Sequence, residues 1–316
     1  NSANCGRKIE QSEVLTVVDD KQSKKVEDKL KAEEENTENQ QKYCSGNTVQ
    51  FYDNCIGEWT FELDHPNWPG ATYTGEWKNG KPDGNGTSYY GPESNHEGTK
   101  YVGEFKDGLA HGYGVMTGPD GESYKGIWLY DKMSEGTIIW TDGSTYTGQF
   151  KNGKLDGQGT AIRADGQKEK GEFRDGEIIK GTVDFPSGNR YEGEFSDGEF
   201  IKGTVDFPSG NRYEGELENS EFNGQGTMVF EGGSTYVGEF KDNEFIYGTI
   251  DFPSGNRYEG GIINSGFDGQ GKLTLADGSV YEGEFKDGDY NGQGRLVTND
   301  GKVLEGVFKD GELLYP

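Results

Sequence analysis

The sequence predicts an all-β fold made of tandem repeats, and three observations lead to this prediction. Glycine accounts for 53 of the 316 residues, more than twice its usual share of about 7%. Only 30% of the residues are hydrophobic, yet the chain contains 17 Phe, 18 Tyr and 5 Trp, whereas disordered chains are poor in aromatic residues. The third observation is a short motif that recurs at an even period.

The recurring motif reads Tyr-x-Gly-x-aromatic, followed by Asp-Gly or Asn-Gly and often by Gly-x-Gly-Thr. Clear copies begin at Tyr73, Tyr101 and Tyr281. The intervals between successive central glycines differ by at most one residue, apart from one longer interval that contains an insertion. These glycines are Gly75, Gly103, Gly126, Gly148, Gly171, Gly193, Gly215, Gly238, Gly260, Gly283 and Gly306. So regular a period is typical of stacked repeat arrays.

Each copy is predicted to form a β-hairpin. In the segment 191–195, alternation puts Tyr, Gly and Phe on one face and the two glutamates on the other. Asp197-Gly198 supplies the turn, and we expect the second strand to begin at the Gly-x-Gly step. One copy buries too little surface to fold alone, so the copies must stack. The predicted repeat core is Tyr73, Trp77, Tyr101, Phe105, Tyr124, Trp128, Tyr146, Phe150, Tyr191, Phe195, Tyr213, Tyr236, Phe240, Tyr258, Tyr281 and Phe285.

The motif resembles the MORN repeat, the membrane occupation and recognition nexus motif. The resemblance covers about residues 55–316, in about eleven copies. It implies an elongated ribbon of stacked antiparallel hairpins that holds other molecules together and carries out no chemistry. Glu169 replaces the first aromatic of one copy, Ile262 replaces the second aromatic of another, and Leu304 departs near the C-terminus. We expect these copies to be weaker or to lie near a cap.

The composition divides the chain into three parts. Residues 1–42 form a charged N-terminal extension, either a solvated helix or an extended tether. Residues 43–70 are predicted to cap the array, and residues 71–316 to form it. Cys44 and Cys55 lie eleven residues apart on either side of a Gly/Asn-rich loop. A disulfide between them would place the protein in an oxidising compartment, the periplasm or surface of a bacterium; the alternative is two free thiols in a cytoplasmic chain.

Charge restricts the classes of partner. The net charge of −26 argues against nucleic-acid binding, which depends on neutralising phosphates with Lys and Arg. Residues 43–316 hold 23 basic and 47 acidic residues, so the repeats are expected to repel anionic lipid.

The residues associated with catalysis are scarce and scattered. His65, His96 and His111 lack the spacing of metal ligands and are expected to lie in surface loops. No serine or cysteine has a histidine at repeat spacing to activate it. The sequence therefore predicts no catalytic, cofactor or metal site, and the chain is not expected to be an enzyme.

The prediction that remains is a scaffold that presents a long β surface to protein partners, as a structural or accessory subunit. The alternative is a peripheral phospholipid-binding module. Three copies replace Gly-x-Gly by two large apolar residues and share an arginine, which suggests a partner surface comprising Ile178, Ile179, Phe200, Ile201, Phe245, Ile246, Arg190, Arg212 and Arg257. Alternation lets only one residue of each pair point inward, unless both fill the core.

Overall fold

The chain folds as a single open β-sheet, here seen in a computed structural model that describes residues 42–46, 48–65, 68–91, 94 and 97–315. Each of its 23 strands pairs antiparallel with the next strand in the chain. The predicted all-β hairpin ribbon is thereby confirmed. The predictions for the extension 1–42, except for Lys42, and for His96 lie outside the described residues.

The strands follow a 3-10 turn at Val49–Phe51. They are β1 (Cys55–Thr60), β2 (Thr72–Lys78), β3 (Lys81–Tyr89), β4 (Lys100–Lys106), β5 (Leu109–Thr117), β6 (Ser123–Leu129), β7 (Lys132–Ile139), β8 (Thr145–Lys151), β9 (Lys154–Ile162), β10 (Lys168–Arg174), β11 (Glu177–Asp184), β12 (Arg190–Ser196), β13 (Glu199–Asp206), β14 (Arg212–Glu218), β15 (Glu221–Val229), β16 (Thr235–Lys241), β17 (Glu244–Asp251), β18 (Arg257–Ile263), β19 (Gly266–Thr274), β20 (Val280–Lys286), β21 (Asp289–Val297), β22 (Val303–Lys309) and β23 (Glu312–Tyr315).

Two kinds of turn connect the strands. Within a hairpin, two residues with positive φ make the connection, as Asp197 (52°) and Gly198 (79°) do between β12 and β13. Such turns match the right-handed twist of the strands. Between hairpins the turn is wider: the Phe207 amide donates to the Asn211 carbonyl at 2.9 Å, and the Gly210 amide donates to the Phe207 carbonyl at 2.9 Å.

A row of glycines crosses the sheet from Gly57 in β1 to Gly306 in β22. Each of these strands contributes one glycine, and each glycine is paired in register with the glycine of the next strand, as Gly75 is with Gly86. Aromatic side chains from either side of the row close over it, and they form the core.

The second strand of each hairpin begins earlier than predicted. β9 starts at Lys154, so that Gly157 and Gly159 lie inside the strand and not at its start. The same holds for the other Gly-x-Gly hairpins. The reason is that the two-residue turn already reverses the chain, and the Gly-x-Gly step then forms a β-bulge opposite the first strand.

The N-terminal residues cover the first repeat. β1 pairs with β2, and the Tyr52 ring meets the Trp77 ring edge-on at 5.2 Å between centroids. The Trp68 ring stacks on Tyr90 at 6.2 Å. A disulfide joins Cys44 to Cys55, beside Gly57, where a Cβ would lie 2.8 Å from the Cys44 sulfur. These contacts seal one end of the aromatic core.

Candidate interaction surface

The repeat-core residues predicted from the sequence all face inward, but to two different depths. Six tyrosines are fully buried: Tyr73, Tyr101, Tyr146, Tyr213, Tyr258 and Tyr281. The second aromatics Trp77, Phe105, Trp128, Phe195, Phe240 and Phe285 are also buried. Four members are only half-buried: Tyr124, Phe150, Tyr191 and Tyr236. Three of these four lie in one kind of hairpin, described below.

Six hairpins have a nine-residue second strand with a wide bulge. In the β8–β9 hairpin, Gly157 in the bulge has a φ of 95°, and the Gln158 amide donates to the Gln149 side-chain oxygen at 3.0 Å. The Tyr146 hydroxyl donates to the Gln149 carbonyl at 3.0 Å. Its ring lies directly over Gly159, where a Cβ would come within 2.4 Å of it. Glycine is therefore required beneath the ring.

Four hairpins have an eight-residue second strand and a narrower bulge. Their second strands are β7, β11, β13 and β17. A large residue occupies the inward position near the turn in each: Met133, Ile178, Phe200 and Phe245. In the β12–β13 hairpin the Phe200 ring lies 5.1 Å from the ring of Tyr191, which is only half-buried. In three nine-residue hairpins the residue at this position, Phe222, Phe267 or Tyr290, is instead half-buried and stacks on a fully buried tyrosine at 3.8–3.9 Å between ring centroids.

The repeat period carries this distinction, which the sequence prediction did not include. Leaving the insertion aside, the intervals between central glycines come in two lengths that differ by one residue. Each shorter interval spans an eight-residue strand, as from Gly126 to Gly148, and each longer one spans a nine-residue strand, as from Gly148 to Gly171. The interval from Gly75 to Gly103 also spans a nine-residue strand, followed by the insertion. The tyrosine is therefore fully buried in hairpins whose bulge has the extra residue and half-buried in hairpins whose bulge lacks it.

Burial changes the acidity of the tyrosines. Desolvation raises the pKa of Tyr146, Tyr213, Tyr258 and Tyr281 to about 12, and it also raises the pKa of Tyr73 and Tyr101. Because the neutral hydroxyls donate to backbone carbonyls inside the core, these tyrosines serve the fold and are not placed to act as acids.

Glu169, which replaces a tyrosine, is buried and fully paired. Its two carboxylate oxygens accept from Arg163 Nε and Nη2, each at 2.8 Å, and Gln167 Nε2 donates to the same carboxylate at 2.9 Å. In the β12 repeat the corresponding pair is Phe185 and Tyr191, whose rings lie 5.0 Å apart. In the β10 repeat, an ion pair thus occupies both positions of an aromatic pair. Glu169 is a substitution inside the core, and it does not lie near a cap.

The apolar residues of the predicted partner surface do not all lie on the same face of the sheet. Ile178, Phe200 and Phe245 are 6–8% exposed and belong to the core, which corrects their assignment to the surface. The following residues sit in the bulges. Ile201 is 39% exposed, whereas Ile179 and Ile246 are half-buried. Only this second member of each pair is open to a partner.

The three arginines of that surface have partners of their own. Arg190, Arg212 and Arg257 each form an ion pair with the aspartate across the inter-hairpin turn, at 3.0–3.1 Å. Arg190 is in register with Asp184, five residues along β11 from Ile179, or roughly 16 Å at about 3.3 Å per residue. The arginines and isoleucines therefore lie towards opposite ends of the strands and form no single strip.

Charge is unevenly distributed along the ribbon. Residues 72–174 hold 12 basic and 15 acidic residues, whereas residues 175–315 hold 11 and 28. In the first half, basic side chains line the hairpin ends: Lys78, Lys81, Lys106, Lys132, Lys151, Lys154 and Arg174. Residues 72–174 therefore carry little net charge, although the net charge of the whole chain is −26.

His65 and His111 lie apart in the described part of the chain, and each has an aromatic neighbour. The described residues contain no group of three metal-ligating side chains. His65 Nδ1 accepts from the Trp68 amide at 3.0 Å. His111 lies half-buried in strand β5 and not in the predicted surface loop, and its ring is 4.7 Å from that of Tyr130. An open depression of about 310 Å³ is lined by Lys151, Asp156, Glu172, Arg174 and their neighbours. The described part of the chain also contains no helix long and apolar enough to cross a bilayer.

The family model for the MORN repeat matches residues 73–92, 101–123, 124–145, 146–168, 191–200, 213–235, 258–280 and 281–303. The chain belongs to the MORN repeat family. The model recognises eight of the hairpins, a few fewer than the eleven copies counted in the sequence. Two eight-residue hairpins, those of β10–β11 and β16–β17, fall almost entirely outside the matched residues, and a third is matched only over residues 191–200. The match therefore follows the nine-residue type more closely.

Among solved structures, the chain is similar to the TCP10 domain of Danio rerio CPAP, with 17% identity over 73% of this chain and 91% of that chain, at a TM-score of 0.19. The TCP domain of Drosophila melanogaster SAS-4, solved with a proline-rich motif of Ana2, has 12% identity over 69% and 94%, at a TM-score of 0.17. Virginiamycin B lyase from Staphylococcus aureus has 11% identity over 78% and 88%, at a TM-score of 0.14. These TM-scores are too low to support a functional inference. None of the curated proteins matches the chain.

Proposed function

We propose that this MORN ribbon is a non-catalytic scaffold that binds protein partners through the outward face of its sheet. One observation carries the proposal. The inward face is filled by aromatic rings that close over the glycine row, so the outward side chains are free to vary from repeat to repeat. Repeat arrays commonly use such extended surfaces for binding.

The bulges of the eight-residue hairpins are one candidate contact on this face. Ile201 and Ile179 lie on successive hairpins, roughly 10 Å apart at about 4.8 Å per strand. Ile201 is the more exposed of the two, so it is expected to contribute more to binding. Affinity capture from the native source, followed by mass spectrometry, would compare wild type with Ile201→Ser and Ile179→Ser. Loss of a partner at an unchanged melting temperature supports the proposal, whereas a lower melting temperature with the partner retained contradicts it.

A second candidate function, binding to anionic membrane surfaces, is favoured by the row of basic hairpin ends in residues 78–174. The carboxylates elsewhere oppose it, since they repel acidic lipid. For a protein scaffold we expect no co-sedimentation with phosphatidylserine vesicles at physiological salt. Salt-sensitive co-sedimentation that is lost in Lys151→Glu/Lys154→Glu would favour the membrane function instead.

We also propose that the protein works in an oxidising compartment, such as the bacterial periplasm or cell surface. The Cys44–Cys55 disulfide supports this location, because structural disulfides are rare in reducing cytoplasm. Alkylating intact cells before lysis and weighing the protein would test it. Two alkylated cysteines at these positions would contradict an oxidising location.

A further inference from the structure

Two hairpin turns of the ribbon have the same four residues but different surroundings. The turn between β2 and β3 has the sequence Lys-Asn-Gly-Lys at residues 78–81, and the turn between β8 and β9 has it again at residues 151–154. In both turns the two lysines are paired in register, Asn has a φ of 50–52° and Gly has a φ of 73–80°. A difference in chemical behaviour between the two copies therefore reports what lies around them.

A hydrogen bond from the preceding part of the sheet holds most of the hairpin turns. The amide of the second turn residue donates to a backbone carbonyl of the preceding hairpin or, in the first turn, of the N-terminal residues, at 2.7–3.2 Å. This contact is here called the turn bond. Its donor and acceptor residues are Gly80 and Tyr52, Gly108 and Pro82, Asp131 and Ala110, Gly176 and Leu155, Asn243 and Phe222, Gly288 and Phe267, and Gly311 and Tyr290.

Four turns form no turn bond to any described residue. Their second residues are Gly153, Gly198, Ser220 and Ser265. Each of these turns follows a hairpin with an eight-residue second strand, whereas the turns after nine-residue strands all form the bond. The strand type of one hairpin is therefore coupled to how firmly the next turn is held.

The first Lys-Asn-Gly-Lys turn is held at two amides, and the second is open. The Gly80 amide donates to the Tyr52 carbonyl at 2.7 Å, and the Asn79 amide donates to Asp53 Oδ1 at 3.1 Å. Residues 152–153 are exposed and form neither bond with the described part of the chain. A Cβ added to the glycine of this second turn would have no atom within 4 Å.

An asparagine that precedes glycine can lose its side-chain amide, because glycine has no side chain to shield its nitrogen. The glycine nitrogen attacks Cγ of the asparagine and loses its proton, the Cγ–Nδ2 bond breaks, and ammonia leaves a cyclic succinimide. Water then adds to either ring carbonyl and opens the ring to aspartate or isoaspartate. The attack requires rotation about ψ of the asparagine, which turns the glycine peptide group out of the hairpin turn. A turn bond on that amide opposes this local opening.

The three other Asn-Gly pairs of the sequence lie inside strands. They are Asn85-Gly86 in β3, Asn223-Gly224 in β15 and Asn291-Gly292 in β21. Each of these glycines is paired in register with a neighbouring strand, as Gly224 is with Phe240, so rotating its peptide group would disrupt the sheet. Residues 152–153 are thus the one Asn-Gly pair that is neither in a strand nor held by a turn bond.

We propose that Asn152 is a site of spontaneous deamidation in the folded protein, and that the turn bond protects Asn79 from the same reaction. Water is the co-reactant, and the products are aspartate and isoaspartate at position 152. The inference does not depend on the outward face being a binding surface.

The reaction would change both the charge and the backbone of this turn. Asn152 borders the open depression lined by Lys151 and Arg174, so the new carboxylate would add negative charge to the row of basic hairpin ends. Isoaspartate also inserts a methylene group into the backbone of a two-residue turn, whose geometry matches the twist of the strands only at its normal length.

The test follows both copies of the turn in one sample of the folded full chain, with its disulfide intact, during incubation in heavy-oxygen water at mildly alkaline pH. Opening of the succinimide incorporates one solvent oxygen, so peptide mapping by mass spectrometry counts the deamidation that occurred during the incubation. Asn152 is expected to deamidate about tenfold faster than Asn79, the factor expected from breaking a net hydrogen bond. Electron-transfer fragmentation distinguishes isoaspartate from aspartate, and Asn152→Gln should remove the product from this turn.

Two controls separate the surroundings from the local sequence. In concentrated urea the turn bond is lost, so the two copies should deamidate at the same rate. Asp53→Ala removes one of the two bonds to the first copy, so it should accelerate deamidation of Asn79 and leave that of Asn152 unchanged.

Either of two results in the folded protein would overturn the proposal: deamidation of Asn152 no faster than that of Asn79, or deamidation of Asn152 slower than that of the pairs inside strands. A difference between Asn152 and Asn79 that persists undiminished in urea would assign it to the residues after the turns and would also refute protection by the turn bond.

Discussion

The nine-residue and eight-residue hairpins differ in which side chain is buried most deeply beside the glycine row. In β8–β9, the ring of Tyr146 lies over Gly159 and its hydroxyl is bound to the backbone. In β12–β13, Phe200 from the opposite strand is buried, and Tyr191, whose ring lies 5.1 Å away, is only half-buried. The two types therefore differ in whether the tyrosine or the residue across from it near the turn is buried more deeply. A repeat motif can thus keep its tyrosine and still give it a different role.

Alkaline pH is expected to produce the largest effect, because it acts on all the buried tyrosines together. Their ordinary pKa is about 10, and in Tyr146, Tyr213, Tyr258 and Tyr281 burial raises it to about 12. Between these values the unfolded chain loses protons that the folded chain keeps, so stability is full below pH 10 and falls as the pH rises towards 12. Circular dichroism with tyrosinate absorbance should show unfolding coupled to ionisation; a fold that persists unchanged beyond pH 12 would contradict this.

Gly159→Ala is expected to be the most damaging single substitution of the comparison. The new Cβ would lie within 2.4 Å of the Tyr146 ring, so the ring must leave its site, at a cost of about 3 kcal/mol. The control is Gly153→Ala in the hairpin turn, where no atom lies within 4 Å of the new Cβ but φ is 80°; backbone strain there costs about 1 kcal/mol. Urea titration measures both, and equal losses would show that the ring is not held over the glycine.

Arg163→Ala should destabilise the β10–β11 hairpin by about 2 kcal/mol, because it leaves a buried carboxylate without its main partner. Arg163 is itself 45% exposed, which keeps the loss at the lower end for such pairs. The double variant Arg163→Phe/Glu169→Tyr restores the aromatic pair of two other eight-residue hairpins, Phe185–Tyr191 and Phe230–Tyr236, and should be at least as stable as wild type. Thermal unfolding of both variants checks this; a double variant as weak as the single one would show that the ion pair has no aromatic equivalent.

The smallest expected difference is between two Tyr→Phe substitutions. Tyr146→Phe removes a buried hydrogen bond and should cost about 1 kcal/mol. Tyr191→Phe should be close to neutral, since among the described residues its hydroxyl has no bond to a backbone carbonyl. Chemical denaturation of the two variants measures the difference. A loss in Tyr191→Phe as large as in Tyr146→Phe would remove the distinction between the hairpin types.

Sequence reasoning predicted the strands, turns and stacking because period-two alternation and Asp-Gly turns are local signals. It did not predict the bulges, since Gly157 and Gly159 also fit the start of a strand, and only the pairing with β8 places them inside it. The division of the repeat intervals into two lengths was visible in the sequence, but its meaning depends on the bulge that forms when the two strands pair.

The candidate surface was harder to predict than the fold. Alternation correctly limits each apolar pair to one inward residue, but it does not reveal that Arg190 is held by Asp184 across a turn. The Arg163–Glu169 pair was likewise detectable only by comparing each turn residue with the tyrosine position six residues later.

Because the glycines of the row are in register, every repeat adds the same increment of length to the ribbon. From β1 to β22, each pair of neighbouring strands has the same glycine–glycine pairing. A duplicated repeat can therefore be inserted between two others and still pair with both in the same way. Two nearly identical stretches, residues 181–195 and 203–216, lie between β4 and β16. Each added unit lengthens the span by about 10 Å and rotates one end against the other by roughly 40–50°. Gene duplication therefore changes the reach and the angular phase of the molecule in fixed steps, and a partner that contacts both ends selects for a particular number of repeats.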